Sequence, residues 1–379
     1  MNAKTPTARA LLVWLKKEPV LLIAGACALI TAAFVPPSAD YLSYLDLRVL
    51  CLLFCLMVVV AGFQDCRLFA LLAQKLLDGR DSFRLVALAL VLLPFFSSML
   101  ITNDVALLTF VPFTILVLSM ARRPQYLIYY TVLQTLAANL GSILLPIGNP
   151  QNLYLYSHYG ISFGPFFRLL APYGLVSLLL LSLAALAGGR GVGLRLDFPE
   201  KVTIRNQRLF GLLCFLFLLC LLSVFRVLHY APLLFIVAGS LLLFAPRLLK
   251  KADYGLLLTF ICFFIFVGNL GQIPAVRSFL EQLLASDTLL SALALSQLIS
   301  NVPAAVLLSG FTSDWQGLLL GTNIGGLGTL VASLASLISF KLYLASEKPE
   351  PKRYLIVFTA ANLVGLAALL TLAFCLGQL

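Results

Sequence analysis

Charged side chains are scarce in this chain. Only 11% of its 379 residues are charged and 61% are hydrophobic, and the mean hydropathy is +1.03. A soluble domain is about 45–50% apolar and about 25% charged, so an ordinary soluble protein is excluded. Runs such as 208–228 and 353–377 are long enough to cross a bilayer as helices. Because strand-length alternation is missing as well, the sequence predicts an all-α polytopic membrane protein rather than a β-barrel.

Residues that ligate metals or catalyse reactions are also rare. The two histidines, His158 and His229, lie far apart, and none of the eight cysteines forms a CxxC pair. An intramembrane enzyme would need a nucleophile with a base, or paired acids. Asp104 is the only acidic residue that we place deep in the membrane. The sequence therefore predicts neither an enzyme nor a resident cofactor.

Acidic residues are outnumbered, which leaves a net charge of +11. The basic patch with interleaved aromatics that binds nucleic acid is missing, so we interpret the excess as membrane topology. All but four of the 26 lysines and arginines lie in segments that we assign to the cytoplasm, as the positive-inside rule expects. The exceptions are Arg48, Arg168, Arg226 and Arg277. This pattern predicts a bacterial inner-membrane protein with a cytoplasmic N-terminus and an external C-terminus.

Apolar length predicts nine full crossings, the first of them an uncleaved helix. They are 19–35, 46–62, 126–156, 165–187, 208–228, 232–246, 254–271, 315–344 and 353–377. Segments 85–120 and 288–311 are apolar with a polar break in the middle. Arg84 precedes the first and Arg122 follows it, so both of its ends face the same side. We therefore expect each broken segment to be a re-entrant helical hairpin, with arms of about 24 Å in the first.

The two halves of the chain resemble each other. "ITNDVALL" (101–108) matches "ISNVPAAV" (299–306), and "NLGSILLPIGNPQN" (139–152) matches "NIGGLGTLVASLAS" (323–336). A short amphipathic stretch precedes each hairpin, typical of an interfacial helix. The pattern predicts two inverted repeats with broken helices, the architecture of many secondary transporters. The expected divisions are 1–190 (scaffold helices 19–62, hairpin 85–120, broken helix 126–156, helix 165–187), a loop and connecting helix at 191–230, and 231–379 (scaffold helices 232–271, hairpin 288–311, broken helix 315–344, helix 353–377).

Polar residues at the breaks form the candidate site. Helix carbonyl groups that end at a hairpin tip can ligate a cation, and N–H groups that begin the next helix can bind an anion. We expect Ser300 or Asn301 to cap the second arm, and Asn149 with Pro150 to begin the second half of a broken helix. The predicted substrate-binding residues are Thr102, Asn103, Ser300, Asn301, Asn149, Thr322 and Asn323. The predicted cation- or proton-coupling residues are Asp104, Asn103, Asn139, Gly148, Asn149, Asn301, Gly325 and Ser333, with any bound Na⁺ at Asn103, Asp104 and Gly148.

These motifs, together with "LSQLISNVPAAVLL" and "GTNIGGLGTLVASLASLISF", resemble the ion transporter superfamily over about residues 45–375. That group includes arsenite permeases, NhaD-type sodium/proton antiporters, citrate transporters and divalent anion/sodium symporters. The resemblance implies a scaffold that dimerises and a mobile domain that slides as an elevator. The symporters carry Ser-Asn-Thr at both tips. Asp104 and Val302 depart from that pattern, which favours the permease and antiporter side of the group.

Several functions remain open from the residues alone. The first is a secondary carrier for a small inorganic or carboxylate anion, coupled to Na⁺ or H⁺. The second is a Na⁺/H⁺ antiporter in which Asp104 exchanges the proton. A channel, an intramembrane enzyme and a purely structural membrane protein are weaker alternatives, because duplicated polar tips are typical of carriers. The expected partners are a small ion, the lipid bilayer and a second copy of the chain.

Overall fold

The computed structural model of the chain describes residues 18–38, 40–79, 82–188 and 201–379. These segments form α-helices joined by turns and short loops, and no β-strand occurs among them, so the all-α prediction is confirmed there. The predicted cytoplasmic N-terminus, residues 1–17, lies outside the described residues. Three basic residues used to assign topology, Arg80, Arg190 and Arg195, also lie outside them.

Helices in the first half follow the apolar segments of the sequence. In chain order they are α1 (Pro19–Ala32), α2 (Tyr41–Tyr44), α3 (Leu47–Asp65), α4 (Leu68–Leu77), α5 (Phe83–Ile101), α6 (Asn103–Met120), α7 (Leu127–Gly141), α8 (Pro150–His158) and α9 (Phe163–Ala187). The predicted amphipathic stretch before the first hairpin is thus a helix, α4.

Ten helices follow in the second half of the described chain. They are α10 (Gln207–Val224), α11 (Tyr230–Phe244), α12 (Pro246–Leu249), α13 (Tyr254–Gly271), α14 (Pro274–Ser286), α15 (Thr288–Ile299), α16 (Asn301–Ser309), α17 (Trp315–Ile324), α18 (Leu334–Leu344) and α19 (Pro351–Cys375). Several helices in both halves begin after an Asp or Asn whose side chain accepts a backbone N–H of the first turn. These caps are Asp46, Asn149, Asn206, Asp253, Asp287 and Asp314.

Eight segments of the described chain are long and apolar enough to cross a membrane, and a ninth is obtained if the bent pair α14–α15 counts as one span. The predicted polytopic membrane protein is therefore confirmed. The eight include both α5 and α6, which have 19 and 18 residues. At 1.5 Å per residue each is about 27–28 Å long, more than the predicted arm of about 24 Å.

Helices α15 and α16 are shorter than their counterparts in the first half. They have 12 and 9 residues, hence lengths of about 18 Å and about 14 Å. Neither can cross a hydrocarbon core of about 30 Å alone. A single residue separates the two helices of each pair, Thr102 in the first and Ser300 in the second, and the helices of each pair pack against each other.

Two of the predicted crossings, 126–156 and 315–344, are each interrupted by non-helical residues. Helix α7 runs into a 3₁₀ turn at Ser142–Leu144, and residues 145–149 are non-helical before α8 begins. In the second half, residues 325–333 separate α17 from α18. The predicted breaks at 126–156 and 315–344 thus fall where the sequence carries its glycines and polar residues.

The most enclosed element is α7, where every residue from 130 to 141 is buried. It packs against α5, α6, α9, α18 and α19. A Cβ atom at Gly141 would lie 2.0 Å from the carbonyl oxygen of Phe95, so only glycine permits this close approach of α7 to α5. A second group of contacts joins α1 to α13, and α3 to α10 and α11. Helix α7 therefore carries the first break to the centre of the molecule.

Candidate functional site

Thr102 and Ser300, the single residues that link α5 to α6 and α15 to α16 and that we call the two tips, share an unusual backbone conformation. Their φ and ψ angles are 69° and 150° at Thr102, and 76° and 152° at Ser300. This region is almost reserved for glycine, and a residue held there costs about 1–3 kcal/mol. The same strain at two aligned positions indicates that each tip is held in place by its surroundings.

Each tip is bonded to a break. The backbone N–H of Asn103 donates to the carbonyl of Gly148 at 3.2 Å, and the N–H of Asn301 donates to the carbonyl of Ala332 at 3.0 Å. Gly148 and Ala332 occupy the same position in the aligned segments 139–152 and 323–336. The first turn of α6 and that of α16 are thus attached to the two breaks by equivalent bonds.

Asn139, near the end of α7, links the first tip to the second break. Its Oδ1 accepts from Asn103 Nδ2 at 2.9 Å and from Ser333 Oγ at 3.1 Å. Its Nδ2 lies 3.5 Å from Ser336 Oγ. All four residues are buried, so these bonds form away from solvent.

Asn323, the residue aligned with Asn139, makes the reciprocal contacts. Its Oδ1 lies 3.5 Å from Asn149 Nδ2, and its Nδ2 donates to Asn152 Oδ1 at 2.7 Å. Asn149 and Asn152 align with Ser333 and Ser336. The asparagine before each break therefore contacts the last residue of the other break and a polar residue in the helical turn that follows it, and the breaks lie side by side. We call these six residues, together with the first residues of α6 and α16, the polar cluster: Asn103, Asn139, Asn149, Asn152, Asn301, Asn323, Ser333 and Ser336.

The predicted start of α8 is confirmed. Asn149 Oδ1 accepts the N–H of Asn152 at 2.9 Å, and Pro150 is the first helical residue. A Cβ atom at Gly148 would lie 2.1 Å from the carbonyl oxygen of Ser142, which explains the glycine beside the cap.

The predicted cap at the second tip is wrong. Ser300 occupies the N-cap position of α16, but its side chain accepts no N–H of that helix, and Asn301 is already the first residue of the helix. Its Oγ lies 3.4 Å from the carbonyl oxygen of Ala332 and 3.5 Å from Asn301 Oδ1. The carbonyl of Ala332 takes the N–H of Asn301, so the break replaces the cap.

Asp104 is the second residue of α6. Its backbone N–H donates to Asn103 Oδ1 at 3.0 Å. Its Oδ1 is enclosed and has no hydrogen-bond partner among the described residues. The aligned residue of the second tip, Val302, is buried and apolar, so the two tips differ chemically.

Two of the predicted site residues, Thr322 and Gly325, contact their own helix or α15 rather than the polar cluster. Thr322 Oγ1 donates to the carbonyl of Leu318 in its own helix at 2.8 Å. Gly325 packs against Ser296 of α15, and the glycine that approaches the second tip is Gly326, where a Cβ atom would lie 2.9 Å from Asn301 Nδ2.

Sequence reasoning missed Gln297, which organises the second break. Its Nε2 donates to the carbonyls of Gly325 at 2.8 Å and Leu327 at 2.9 Å, and its Oε1 accepts the N–H of Thr329. The signal was a lone amide in an apolar arm. Asn152 and Ser336 were also missed as ligand candidates, although they form the last aligned pair of the matched segments.

Comparison with known proteins places the chain in a family. A family model described as "Citrate transporter" matches residues 10–312, which include both tips and the first break. The chain belongs to this citrate transporter family, and the resemblance to the ion transporter superfamily is confirmed.

The matches to curated relatives extend over most of the length of each relative. An uncharacterized transporter of Methanocaldococcus jannaschii is 33% identical over 76% of this chain and 79% of the relative. The inner membrane protein YbiR of Escherichia coli is 31% identical over 85% of this chain and 86% of the relative. A 46 kDa membrane protein of Mycobacterium leprae is 24% identical over 86% of each chain. The chain is a membrane transporter, and with its many apolar helices it is a multi-pass inner-membrane protein.

Proposed function

We propose that this member of the citrate transporter family is a secondary active transporter for a small inorganic or carboxylate anion, coupled to Na⁺ or H⁺. The observation that carries the proposal is the duplicated bonding between tips and breaks. The backbone N–H groups of Asn103 and Asn301 donate to equivalent carbonyls in the two breaks. Asn139 contacts polar residues at the second break, and Asn323 contacts the aligned residues at the first break. Such reciprocity is what two inverted repeats with re-entrant hairpins would produce around a shared site.

Helix polarity supports an anion as the substrate. Four helices, α6, α8, α16 and α18, begin in or directly beside the polar cluster. A helix N-terminus carries about half a positive charge, so four of them favour a negative ligand even without a lysine or arginine. The name of the family model, citrate transporter, fits a carboxylate substrate. We propose that Asn103, Asn301, Asn149 and Asn323 bind the anion, with Thr102 and Ser300 shaping the tips.

A coupling ion would bind at the first tip. Asn103 and Gly148 are in direct contact, and Asp104 follows Asn103 in the chain. The enclosed Asp104 Oδ1 lacks a protein donor, and burying such a charge is costly unless a proton or a cation accompanies it. Carboxylate and carbonyl oxygens are the ligands that hard cations prefer. Either Na⁺ or H⁺ at this carboxylate would link cation movement to the polar cluster.

The packing of the helices supports an elevator-type mechanism. Helix α1 packs on α13 and α3 packs on α11, while α7 packs on both hairpin arms of the first half and on α18 and α19. We propose that the first group is a scaffold that dimerises. The second group would carry the polar cluster across the membrane as one unit.

Uptake by proteoliposomes tests the anion proposal. Purified protein is reconstituted with an inward Na⁺ gradient or pH gradient and offered labelled citrate, other carboxylates and inorganic oxyanions. Asn103→Ala and Asn301→Ala should each abolish uptake while the protein still folds. The control is Asn269→Ala, which removes a buried asparagine that bonds to Thr31 and Tyr41, outside the polar cluster. Wild-type uptake by both tip variants would refute the site.

The unpartnered Asp104 carboxylate favours a second candidate, Na⁺/H⁺ exchange. A pH-sensitive dye inside the vesicles distinguishes the two functions. Proton efflux that is driven by Na⁺ in the absence of any transported anion, and that is lost in Asp104→Asn, would replace the anion proposal. Anion uptake without such efflux would exclude the antiporter.

A further inference from the structure

A large apolar groove opens beside the first hairpin, bounded by α3, α4, α5 and α10. Its volume is about 690 Å³. Leu72 and Leu76 of α4 line it, as do Leu85, Phe96 and Leu100 of α5, and all five side chains are exposed. We call it the α4–α5 groove.

The dimensions of the groove match a lipid tail. The lining residues of α5 run from Leu85 to Ile101, a rise of about 24 Å. One leaflet of the hydrocarbon core is about 15 Å thick, so an extended acyl chain fits along this wall. The wall ends beside Thr102, the first tip.

Exposed basic residues flank the lining residues of the groove in the chain. Arg67, Lys75 and Arg84 are exposed, and each directly adjoins a lining residue in the chain. The backbone N–H of Arg205 donates to the carbonyl of Cys66 at 3.3 Å, which brings a fourth basic residue beside Arg67. Within the described segments, none of these four side chains forms an ion pair with an acidic residue.

We infer that the α4–α5 groove binds one anionic phospholipid, with an acyl chain along α5 and the phosphate at the basic residues. Charge and shape both favour this occupant, because basic pockets between membrane helices bind anionic head groups and the walls are apolar. A second copy of the chain would bring a second set of basic residues against the first, so like charges would oppose a dimer here. The bound lipid would occupy the space beside the proposed mobile hairpin.

Native mass spectrometry of the purified protein tests the inference. The wild type, supplied with phosphatidylglycerol and phosphatidylcholine of the same chains, should retain one phosphatidylglycerol in preference. The triple variant Arg67→Gln, Lys75→Gln and Arg84→Gln should lose at least tenfold of that preference. The control is Lys250→Gln, Lys348→Gln and Lys352→Gln, which removes the same charge from exposed positions and should retain the lipid.

Cross-linking of the wild type locates the lipid even if the triple variant fails to fold, and a single variant within the groove checks the result. A phosphatidylglycerol with a diazirine in its chain should cross-link the wild type within 85–101 or at Cys214 and Phe217, the lining residues of α10. Ser97→Phe, which fills the groove from α5, should reduce that cross-linking. Equal retention of both lipids, cross-links elsewhere, stabilisation by inorganic phosphate alone or a dimer sealed at this face would overturn the inference.

Discussion

Replacing Asn139 by alanine would remove the bond that joins the first tip to the second break. Asn139 Oδ1 is the acceptor for Asn103 Nδ2 at 2.9 Å and for Ser333 Oγ at 3.1 Å. Both donors are buried. Asn139→Ala therefore leaves two buried polar groups without this acceptor.

The expected cost follows from these two groups. A buried donor that loses its partner costs about 1–3 kcal/mol, so Asn139→Ala should lower the free energy of unfolding by about 2–6 kcal/mol. Transport should be lost as well, because the side-chain bonds through Asn139 that hold the first tip to the second break are removed. The matched control, Asn269→Ala, removes a fully buried amide that bonds to Thr31 and Tyr41 between α1, α13 and the short helix α2. It should lower stability by about 1–3 kcal/mol and leave transport per folded molecule near the wild-type value.

Two measurements on the same preparations separate these outcomes. Denaturant unfolding in detergent gives the stability of each variant, and uptake into proteoliposomes, normalised to folded protein, gives transport. If Asn139→Ala transports like the wild type, the bonds of Asn139 to the first tip and the second break have no role in the function. If Asn269→Ala loses transport equally, the loss reflects stability and the reasoning is refuted.

Three more predictions concern single residues around the breaks and at the start of α1. Gly148→Ala should abolish transport and lower stability, because its Cβ atom would lie 2.1 Å from the Ser142 carbonyl oxygen, and uptake with thermal unfolding checks this; an unaffected variant would show that the break relaxes freely. Asp104→Asn should flatten the dependence of transport rate on pH if this carboxyl carries the coupling proton, and an unchanged profile assigns it a structural role. Burial and the neighbouring Asp253 carboxylate raise the pKa of Glu18 above its ordinary value of 4.5, against a smaller lowering by Lys341, so the folded state loses stability as the pH rises from that ordinary value through the raised pKa. Glu18→Gln should therefore raise Tm more at pH 7 than at pH 4, and an equal shift at both would contradict the assignment.

The sequence predicted the placement of most elements because apolar length and polar breaks are local properties. The single-residue links at Thr102 and Ser300 fall inside the predicted hairpins, and the cap at Asn149 follows from its neighbours Pro150 and Asn152. The alignment of 139–152 with 323–336 also paired the residues that make equivalent bonds.

Bonds between distant segments could not be predicted in the same way. The contacts of Asn139 with Ser333, and of Asn323 with Asn149, depend on how the two breaks pack, which local pattern does not specify. The predicted cap at Ser300 was wrong for a related reason, because the Ala332 carbonyl takes the N–H of Asn301.

The direction in which a residue faces explains why Thr322 and Gly325 differ from prediction. Thr322 points to its own helix carbonyls, and Gly325 faces α15 rather than the second tip. Composition places both residues in a polar, glycine-rich stretch, but a shift of one residue along a helix turns a side chain by about 100°.

Cysteine accessibility at the two tips tests the central claim most directly. In a variant freed of its eight native cysteines, Thr102→Cys and Ser300→Cys are labelled in membrane vesicles with an impermeant thiol reagent. If both tips bind the transported ion beside the breaks, both positions should react slowly, and the transported anion with its coupling ion should slow them further. Fast labelling at either tip that no ion protects would contradict a shared site.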